Sequence, residues 1–480
     1  MSASPSLRAQ QLGFAYDTTS IFESLDFHLG PGWCGLVGAN GLGKTTLLRL
    51  MLGELKPGHG ALVAEPKGAR IAWCPQRVEA LDDTIRAFSE ANDGTARRLV
   101  GRLKLDVSQL ERWPTMSPGE RKRWQLAAAL HQEPDVLLLD EPGNHLDSEG
   151  LRSLRGALKG FNGVGVLVSH DRALLDDVTD STLRLVPGGA RLYRHPYSAA
   201  RALWLEEEEG QREQHRETKR RLEKEESKLE AKRRALASAS KMRSTAARMR
   251  NRYDSEARSL GADFRAEQAE TSHAATLRRV TRSAERVRAE LENVHVVDEA
   301  GQALFVRYEP CPKPAVVQHG GIQLGRDGRL WLKGPNGSGK TTLLKRLLAE
   351  GCTVPEERRL VLPQELTLEA SQADLETAKA LPNDERGRVL QLVHALGVEP
   401  DRLLSSPAPS PGEGRKLRLA LGLGRHAWLL VLDEPTNHLD LPAIERLGAA
   451  LKEYPGALLI VTHDAQLGQG LEADELTLPA

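Results

Sequence analysis

Two stretches of this 480-residue chain, GANGLGKTT at Gly38–Thr46 and GPNGSGKTT at Gly334–Thr342, space glycines before Lys-Thr in a way that suits phosphate. In a loop of this form the glycines let successive backbone N–H groups converge on phosphate oxygens, the lysine neutralises charge and the hydroxyl ligates Mg²⁺. The candidates in the first stretch are Gly38, Asn40, Gly41, Gly43, Lys44, Thr45 and Thr46. In the second they are Gly334, Asn336, Gly337, Gly339, Lys340, Thr341 and Thr342. Further on, the apolar runs beginning at Val136 and Leu429 end in the pairs Asp140–Glu141 and Asp433–Glu434. An aspartate there can hold Mg²⁺ through water, while the adjacent glutamate polarises a water for in-line attack on a γ-phosphate. His170 and His463 follow the runs VLVS and LIVT and can donate a hydrogen bond to the same phosphate. An isolated acidic pair is ordinarily a turn and a lone histidine ordinarily structural; recurrence beside a phosphate loop favours the chemical roles.

These groups need elements to carry them, and the elements repeat. VLLLDEPGNHLD at Val136–Asp147 returns as LLVLDEPTNHLD at Leu429–Asp440, VLVSHD as LIVTHD, and SPGE at Ser117 as SPGE at Ser410, all in one order. The chain is therefore a tandem duplication with one copy over residues 1–196 and another over 301–480. Each copy reads as α/β: non-alternating Val- and Leu-rich runs are buried parallel strands, and segments of helical period lie between them. SPGE itself has the form of a capping box, with Ser117 or Ser410 as N-cap, Pro118 or Pro411 at N1, and Glu120 or Glu413 at N3.

Residues 197–300 differ in character: they are proline-free and highly charged, a helical linker rather than a flexible one. Leu222, Leu229 and Leu236 recur every heptad, and Leu277, Val280, Ala284, Val287 and Leu291 alternate three- and four-residue steps, so two helices can pack as an antiparallel pair. ASASKMRST, from Ala237 to Thr245, is the expected turn between them. An arm of roughly 40 residues would extend on the order of 60 Å. At its tip lie Lys232, Arg233, Arg234, Lys241, Arg243, Arg248, Arg250 and Arg252, while acids crowd Glu206–Glu230 and resume at Asp254. Charge runs are ordinarily solvated helix faces, but this segregation makes the tip a candidate contact for RNA phosphate.

Bulk composition narrows the classes. Lys+Arg and Asp+Glu are 66 each, so the chain has no general positive face for coating nucleic acid and any such contact is local. The four cysteines lack metal-ligand spacing and read as reduced packing residues of a cytoplasmic protein. Neither a signal peptide nor a membrane-length apolar run is present in the sequence.

Phosphate loop, a Gln after a strand (Gln76 in WCPQ, Gln364 in LPQ), SPGE, DEP and a terminal His together resemble the ATP-binding-cassette ATPases, across nearly all of both copies. The resemblance implies two P-loop cassette domains joined by a long α-helical hairpin, with ATP and Mg²⁺ as cofactors. It implies composite sites in which SPGE of one copy, at the position of the family's Ser-Gly-Gly signature, completes the site of the other. Site one would join Lys44, Gln76, Glu141 and His170 to Ser410, Gly412 and Glu413; site two would join Lys340, Gln364, Glu434 and His463 to Ser117, Gly119 and Glu120. Thr45, Gln76 and Asp140, and Thr341, Gln364 and Asp433, would hold Mg²⁺. Tyr16 in FAYD would stack on adenine, whereas the second copy offers only Tyr308 in a poorly matching stretch. Prolines Pro118 and Pro411 depart from the family's pattern at one contact.

Two cassettes in one chain, NHLD after each acidic pair and a helical linker resemble the ABC-F proteins in particular. That resemblance implies a monomeric cytoplasmic ATPase acting at the ribosomal E site, in contact with rRNA and reaching toward the P-site tRNA, to regulate or rescue translation or to protect against a ribosome-targeting antibiotic. A transporter's soluble ATPase subunit and a DNA-associated ATPase are the alternative readings. The short stretch between Gln76 and Ser117 leaves little room for the arm that some members insert there.

Overall fold

The computed structural model describes residues 4–17, 19–78, 80–144, 146–248, 276, 278–288, 308–335 and 337–479, without the side chains of residues 148 and 235–248. Its contacts divide into two units: Met1–Ala200 together with Ala300–Ala480, and Arg201–Glu299.

The first unit holds both copies. In the first copy a six-stranded sheet runs in the order Ile71–Cys74, Val136–Asp140, Val164–Val168, Gly32–Val37, Ser181–Val186, Gly189–Tyr193. Its pairings are parallel except the last. In the second copy a five-stranded, all-parallel sheet runs Arg359–Leu362, Leu429–Asp433, Ala457–Val461, Arg329–Lys333, Asp474–Thr477. Val136 to Leu139 and Leu429 to Leu432 are buried on both faces, and each such side chain contributes roughly 1.5–3 kcal/mol on burial. That two-sided burial accounts for the absence of apolar-polar alternation.

This order matters for chemistry. The strand Gly32–Val37 lies beside Val164–Val168, which lies beside Val136–Asp140, so the segments that follow each emerge at one edge. They carry the phosphate loop, His170 and Glu141 respectively. Open parallel sheets bind ligands at this carboxyl edge. The second copy repeats the arrangement with Arg329–Lys333, Ala457–Val461 and Leu429–Asp433.

The copies diverge in their antiparallel sheets. The first has three strands, Thr19–Leu29, Ser6–Tyr16 and His59–Glu65. Among the described residues the second has two short ones, Ala315–His319 and Ile322–Gly325.

The helix Tyr197–Arg248, which belongs to the second unit from Arg201 on, runs without interruption through Ala237–Thr245, so the turn expected there is not formed. The segment contains neither Gly nor Pro, and its Ala, Lys, Met and Arg are strong helix formers that outweigh three serines. Residues 278–288 are also helical. Leu222 and Ala284 are buried, and Arg288 pairs with Glu226 at 2.5 Å, so the two helical stretches pack through the expected faces. Leu277 and Leu291, and the side chain of Leu236, lie outside the described residues.

Candidate active site

Each phosphate loop is a run of left-handed glycines. Gly38, Gly41 and Gly43 have φ of +155°, +85° and +86°, and Gly334, Gly337 and Gly339 have +153°, +82° and +84°. At Gly43 and Gly339 this conformation starts the helices Lys44–Leu52 and Lys340–Arg346, and neither start has a side-chain cap. Their leading N–H groups, which no intrahelical carbonyl can reach, suit an anion. A Cβ on Gly41, Gly337 or Gly339 would meet nothing within 4 Å, so the concave side of each loop is open. Lys44 Nζ donates to the carbonyls of Gly38 (2.8 Å) and Ala39 (3.2 Å), and Lys340 Nζ to those of Gly334 and Pro335 (both 2.8 Å). Asn336 lies outside the described residues.

The carboxylate pairs sit against these loops. Thr45 Oγ1 donates to Asp140 Oδ2 at 3.0 Å and Thr341 Oγ1 to Asp433 Oδ2 at 2.8 Å. Glu141 and Glu434 have φ of +49° and +48°, a conformation unusual for a residue with a side chain. Their N–H groups, bonded to Val168 O and Val461 O at 2.9 Å, hold them there. Such local strain is characteristic of functional positions. His170 Nε2 lies 3.2 Å from Glu141 Oε1, and His463 Nε2 lies 3.4 Å from Glu434 Oε1. Neither Oε1 receives an aligned hydrogen bond. Each Oε2 accepts from the backbone N–H of the same histidine at 3.3 Å.

Electrostatics follow from this packing. Burial, reinforced by the charge of Asp140, pushes Glu141 up to about 8, and burial pushes Glu434 up to about 7. These are values at which a carboxylate acts as a base near neutrality. Burial and the neighbouring Lys44 push His170 down to about 3, and burial and Lys340 lower His463. Both imidazoles are thus neutral and carry one N–H donor.

The residues present fit a nucleoside triphosphate with Mg²⁺. The open glycine loops suit phosphate, and the Thr45–Asp140 and Thr341–Asp433 pairs suit an ion that keeps waters and needs few protein oxygens. Among the described residues no group of three or more His, Cys, Asp and Glu is gathered closely enough to hold a metal ion by itself. Both glutamines are exposed: Gln364 borders the same cavity as Thr341, and Gln76 follows the strand Ile71–Cys74.

That cavity, of about 890 Å³, brings the two copies together. Ser117 and Gly119 of the first copy face it together with Lys340, Thr341, Glu434 and His463 of the second. Ser117 caps the helix Pro118–His131, accepting from Glu120 N while Glu120 Oε2 accepts from Ser117 N at 2.8 Å. Ser410 and Glu413 do the same for Pro411–Gly424. Both prolines stand at N1, where no N–H is missed.

The first phosphate loop meets the second copy differently. Asn40 N–H donates to Asp440 Oδ2 at 2.7 Å, and Asn40 Nδ2 donates to His438 O at 3.4 Å. A Cβ on Gly412 would lie 3.1 Å from that same carbonyl, so Gly412, His438 and Asn40 are stacked in sequence. Ser410 is exposed at the head of the helix. Arg172 and Asp464 add a 3.3 Å ion pair between the copies.

The aromatic expectations divide. Tyr16 is 42% exposed, edge-on to Phe14 at 4.9 Å, at the end of a hairpin whose partner strand packs on the loop. A Cβ on Gly43 would come within 2.5 Å of Ile21 and 2.8 Å of Phe22. Tyr308 instead packs against Tyr454 (6.2 Å) and His426 (5.8 Å) and donates to Ala427 O, away from the phosphate loop. At the linker, Lys232, Arg233 and Arg234 are exposed. The side chains of Lys241, Arg243 and Arg248, and all of Arg250 and Arg252, lie outside the described residues.

Sequence reasoning missed four participants: His438 and Asp440, which contact the first loop, and the buried cations Lys122 and Arg415. The cations had a signal, since both fall five residues after the SPGE serine on otherwise apolar helix faces.

The family model described as "ABC transporter" matches residues 22–144 and 318–437. The tylosin resistance ATP-binding protein TlrC of Streptomyces fradiae is 29% identical, the alignment covering 100% of this chain and 98% of that protein. The ribosome protection protein VmlR of Bacillus subtilis (strain 168) is 29% identical over 90% of this chain and 78% of its own length. The energy-dependent translational throttle protein EttA of Mycobacterium tuberculosis (strain CDC 1551 / Oshkosh) is 28% identical over 94% and 87%. Among solved structures, one titled "RNase-L Inhibitor" shares the fold at a TM-score of 0.55 and 18% identity, over 98% of this chain and 87% of that one. Two cassettes with matching reactive groups, and relatives spanning nearly the whole chain, place this protein in the ATP-binding-cassette family, within its ABC-F branch.

Proposed function

We propose that this chain is a Mg²⁺-dependent ATP hydrolase of the ribosome that binds near the E site, directs its linker toward the P-site tRNA and regulates, rescues or protects translation. The observation that carries the ATPase part is the cavity joining the SPGE helix of one copy to the phosphate loop of the other. Ribosome action is supported by relatives whose names speak of ribosome protection, a translational throttle and tylosin resistance. No described helix is long and apolar enough to cross a membrane. In this reading residues 1–196 and 301–480 are the cassettes of a cytoplasmic monomer and residues 197–300 the ribosome-reaching arm.

When bound, ATP would supply the bond to be cleaved, and Mg²⁺ would supply positive charge that offsets its phosphates. Lys44 and Lys340, which donate to their own loop carbonyls, would turn to phosphate, and Thr45 with Asp140 and Thr341 with Asp433 would hold Mg²⁺. Glu141 and Glu434 take the proton of the attacking water, which their raised proton affinity favours. His170 and His463, neutral and set against those glutamates, donate to the terminal phosphate.

The test is to trap E141Q/E434Q with ATP and sediment it with ribosomes. Co-sedimentation that depends on ATP is expected; its absence, with nucleotide still bound, overturns the ribosomal reading. Reversing Arg243, Arg248 and Arg250 to Glu should flatten the salt dependence of that binding while basal hydrolysis survives, since each phosphate contact adds about 0.7–0.9 to the log–log salt slope. Coincident salt curves would reduce the basic cluster to a solvated helix face.

A further inference from the structure

Both copies bury a cation that has no carboxylate as its hydrogen-bond partner. Arg415 is 1% exposed and Lys122 4%. Arg415 Nη1 donates to the carbonyls of Pro363 (3.0 Å) and Gln364 (2.8 Å), and Nη2 donates to those of Glu434 (2.6 Å) and Asp433 (3.4 Å). Lys122 Nζ makes the shorter version of the same bridge, to Pro75 O at 2.5 Å and Asp140 O at 3.3 Å. In each copy, therefore, one cation spans the loop that bears the candidate metal-binding glutamine and the strand end that bears the two carboxylates.

A buried cation costs desolvation, and apolar residues of similar size often replace such groups without loss of stability. Its presence at the same position of both copies needs a local reason. Carbonyl oxygens from two separate segments give that reason geometrically, because a charged donor makes stronger hydrogen bonds than a neutral one and Arg's planar fork fixes two directions at once. The charge also faces the nearby acids: Asp433 and Glu434 act on Arg415, and Asp140 and Glu141 act on Lys122.

We propose that Lys122 and Arg415 are positioning residues that tie the glutamine loop to the Asp-Glu strand end, so that Gln76 with Asp140–Glu141, and Gln364 with Asp433–Glu434, move as one unit. Lys122 also stands five residues into the helix whose N-terminal serine, Ser117, lines the cavity that holds the second copy's Lys340. The tether thus runs from the cap serving one site to the reactive carboxylates of the other. This inference rests on the ATPase reading above for its catalytic consequence, and on the structure alone for the tether.

The full-length protein carrying R415M or R415K, and separately K122M, tests it through two measurements. In the nucleotide-free protein, amide hydrogen exchange in residues 363–367 should speed up at least about tenfold in R415M while the strand Leu429–Asp433 keeps its protection, and R415K should restore the slow exchange. With Mg-ATP, R415M should lower kcat and raise the Mg²⁺ concentration at half-maximal rate by about 10- to 100-fold, the range for groups that orient metal ligands from behind. Unchanged loop exchange and unchanged kcat per folded molecule, with only a lower Tm, would overturn the proposal. If R415M does not fold, K122M, which removes fewer hydrogen bonds, decides by exchange in residues 75–78 on the same criteria. A wild type without Mg-ATPase activity would sink the functional reading alone, because loop exchange still decides the tether.

Discussion

The two cassettes agree in the geometry of their acidic pairs and histidines and differ in what surrounds their glycine loops. Thr–Asp contacts of 3.0 and 2.8 Å, His–Glu approaches of 3.2 and 3.4 Å, and glutamate φ of +49° and +48° repeat within narrow limits. Around them the walls differ. The first loop is backed by a three-stranded sheet that brings Ile21 and Phe22 against Gly43, and its Asn40 amide is held by Asp440. Among the described residues the second has a two-stranded sheet and nothing within 4 Å of a Cβ on Gly339, and it borders a cavity of about 890 Å³. Reaction geometry tolerates errors of tenths of an ångström, whereas affinity for a base depends on apposed area, which one copy can lose without losing its chemistry.

The largest effect tests the shared part. If the reacting groups are equivalent, E141Q and E434Q should each leave about half of the turnover, and the double variant should lose roughly 10²- to 10⁴-fold, the usual worth of a general base. Steady-state phosphate release measures all three. A single variant as inactive as the double would break the equivalence and make hydrolysis at one site a condition for hydrolysis at the other.

A smaller effect tests the unshared part. Stacking of a base on an aromatic ring is worth about 1–3 kcal/mol, so Y16A should weaken nucleotide binding roughly 5- to 150-fold at the first site. K340A leaves that site to be titrated alone, and K44A leaves the other. Y16A should act in the K340A background and be silent in K44A. Equal affinities of K44A and K340A themselves would show that the open cavity grips adenine by surfaces other than a hairpin aromatic.

These contrasts also mark what the sequence discloses. Glycine spacing, SPGE and the strand-terminal acids are local codes: left-handed φ needs glycine, and a capping box needs Ser and Glu three apart, so the loops, caps and carboxylate pairs were legible before any coordinates. The parallel sheets were legible for the same reason, through two-sided burial. The contact of Asp440 with Asn40 was not, because it joins residues far apart in the chain and NHLD by itself carries no partner. Lys122 and Arg415 were passed over because a charge within a helix reads as solvent-facing unless its register against both copies is compared. The serines in Ala237–Thr245 suggested a turn, yet without Gly or Pro nothing there stops a helix. Tyr308 was too far from any repeat motif to be placed, and tertiary packing put it on Tyr454.

The smallest effect bears on the composite nature of the sites. Ser117 has two tasks in one hydroxyl: it caps Pro118–His131, and it faces the cavity that holds Lys340. Alanine and glycine separate them, because replacing an N-cap serine with alanine costs typically about 1 kcal/mol of stability and with glycine only a few tenths. S117A should therefore lower Tm more than S117G does. Both remove the hydroxyl from the cavity, and a lost neutral hydrogen bond of about 1 kcal/mol corresponds to roughly fivefold in affinity. That loss should appear equally in the two variants when the second site is titrated in K44A, and should be missing when the first is titrated in K340A. Ser410 variants should reverse the assignment, weakening the Lys44 site. If S117G instead weakens the site formed by its own copy's Lys44, the cap acts within its cassette, and the exchange of helix N-termini between the two copies is not how these sites are completed.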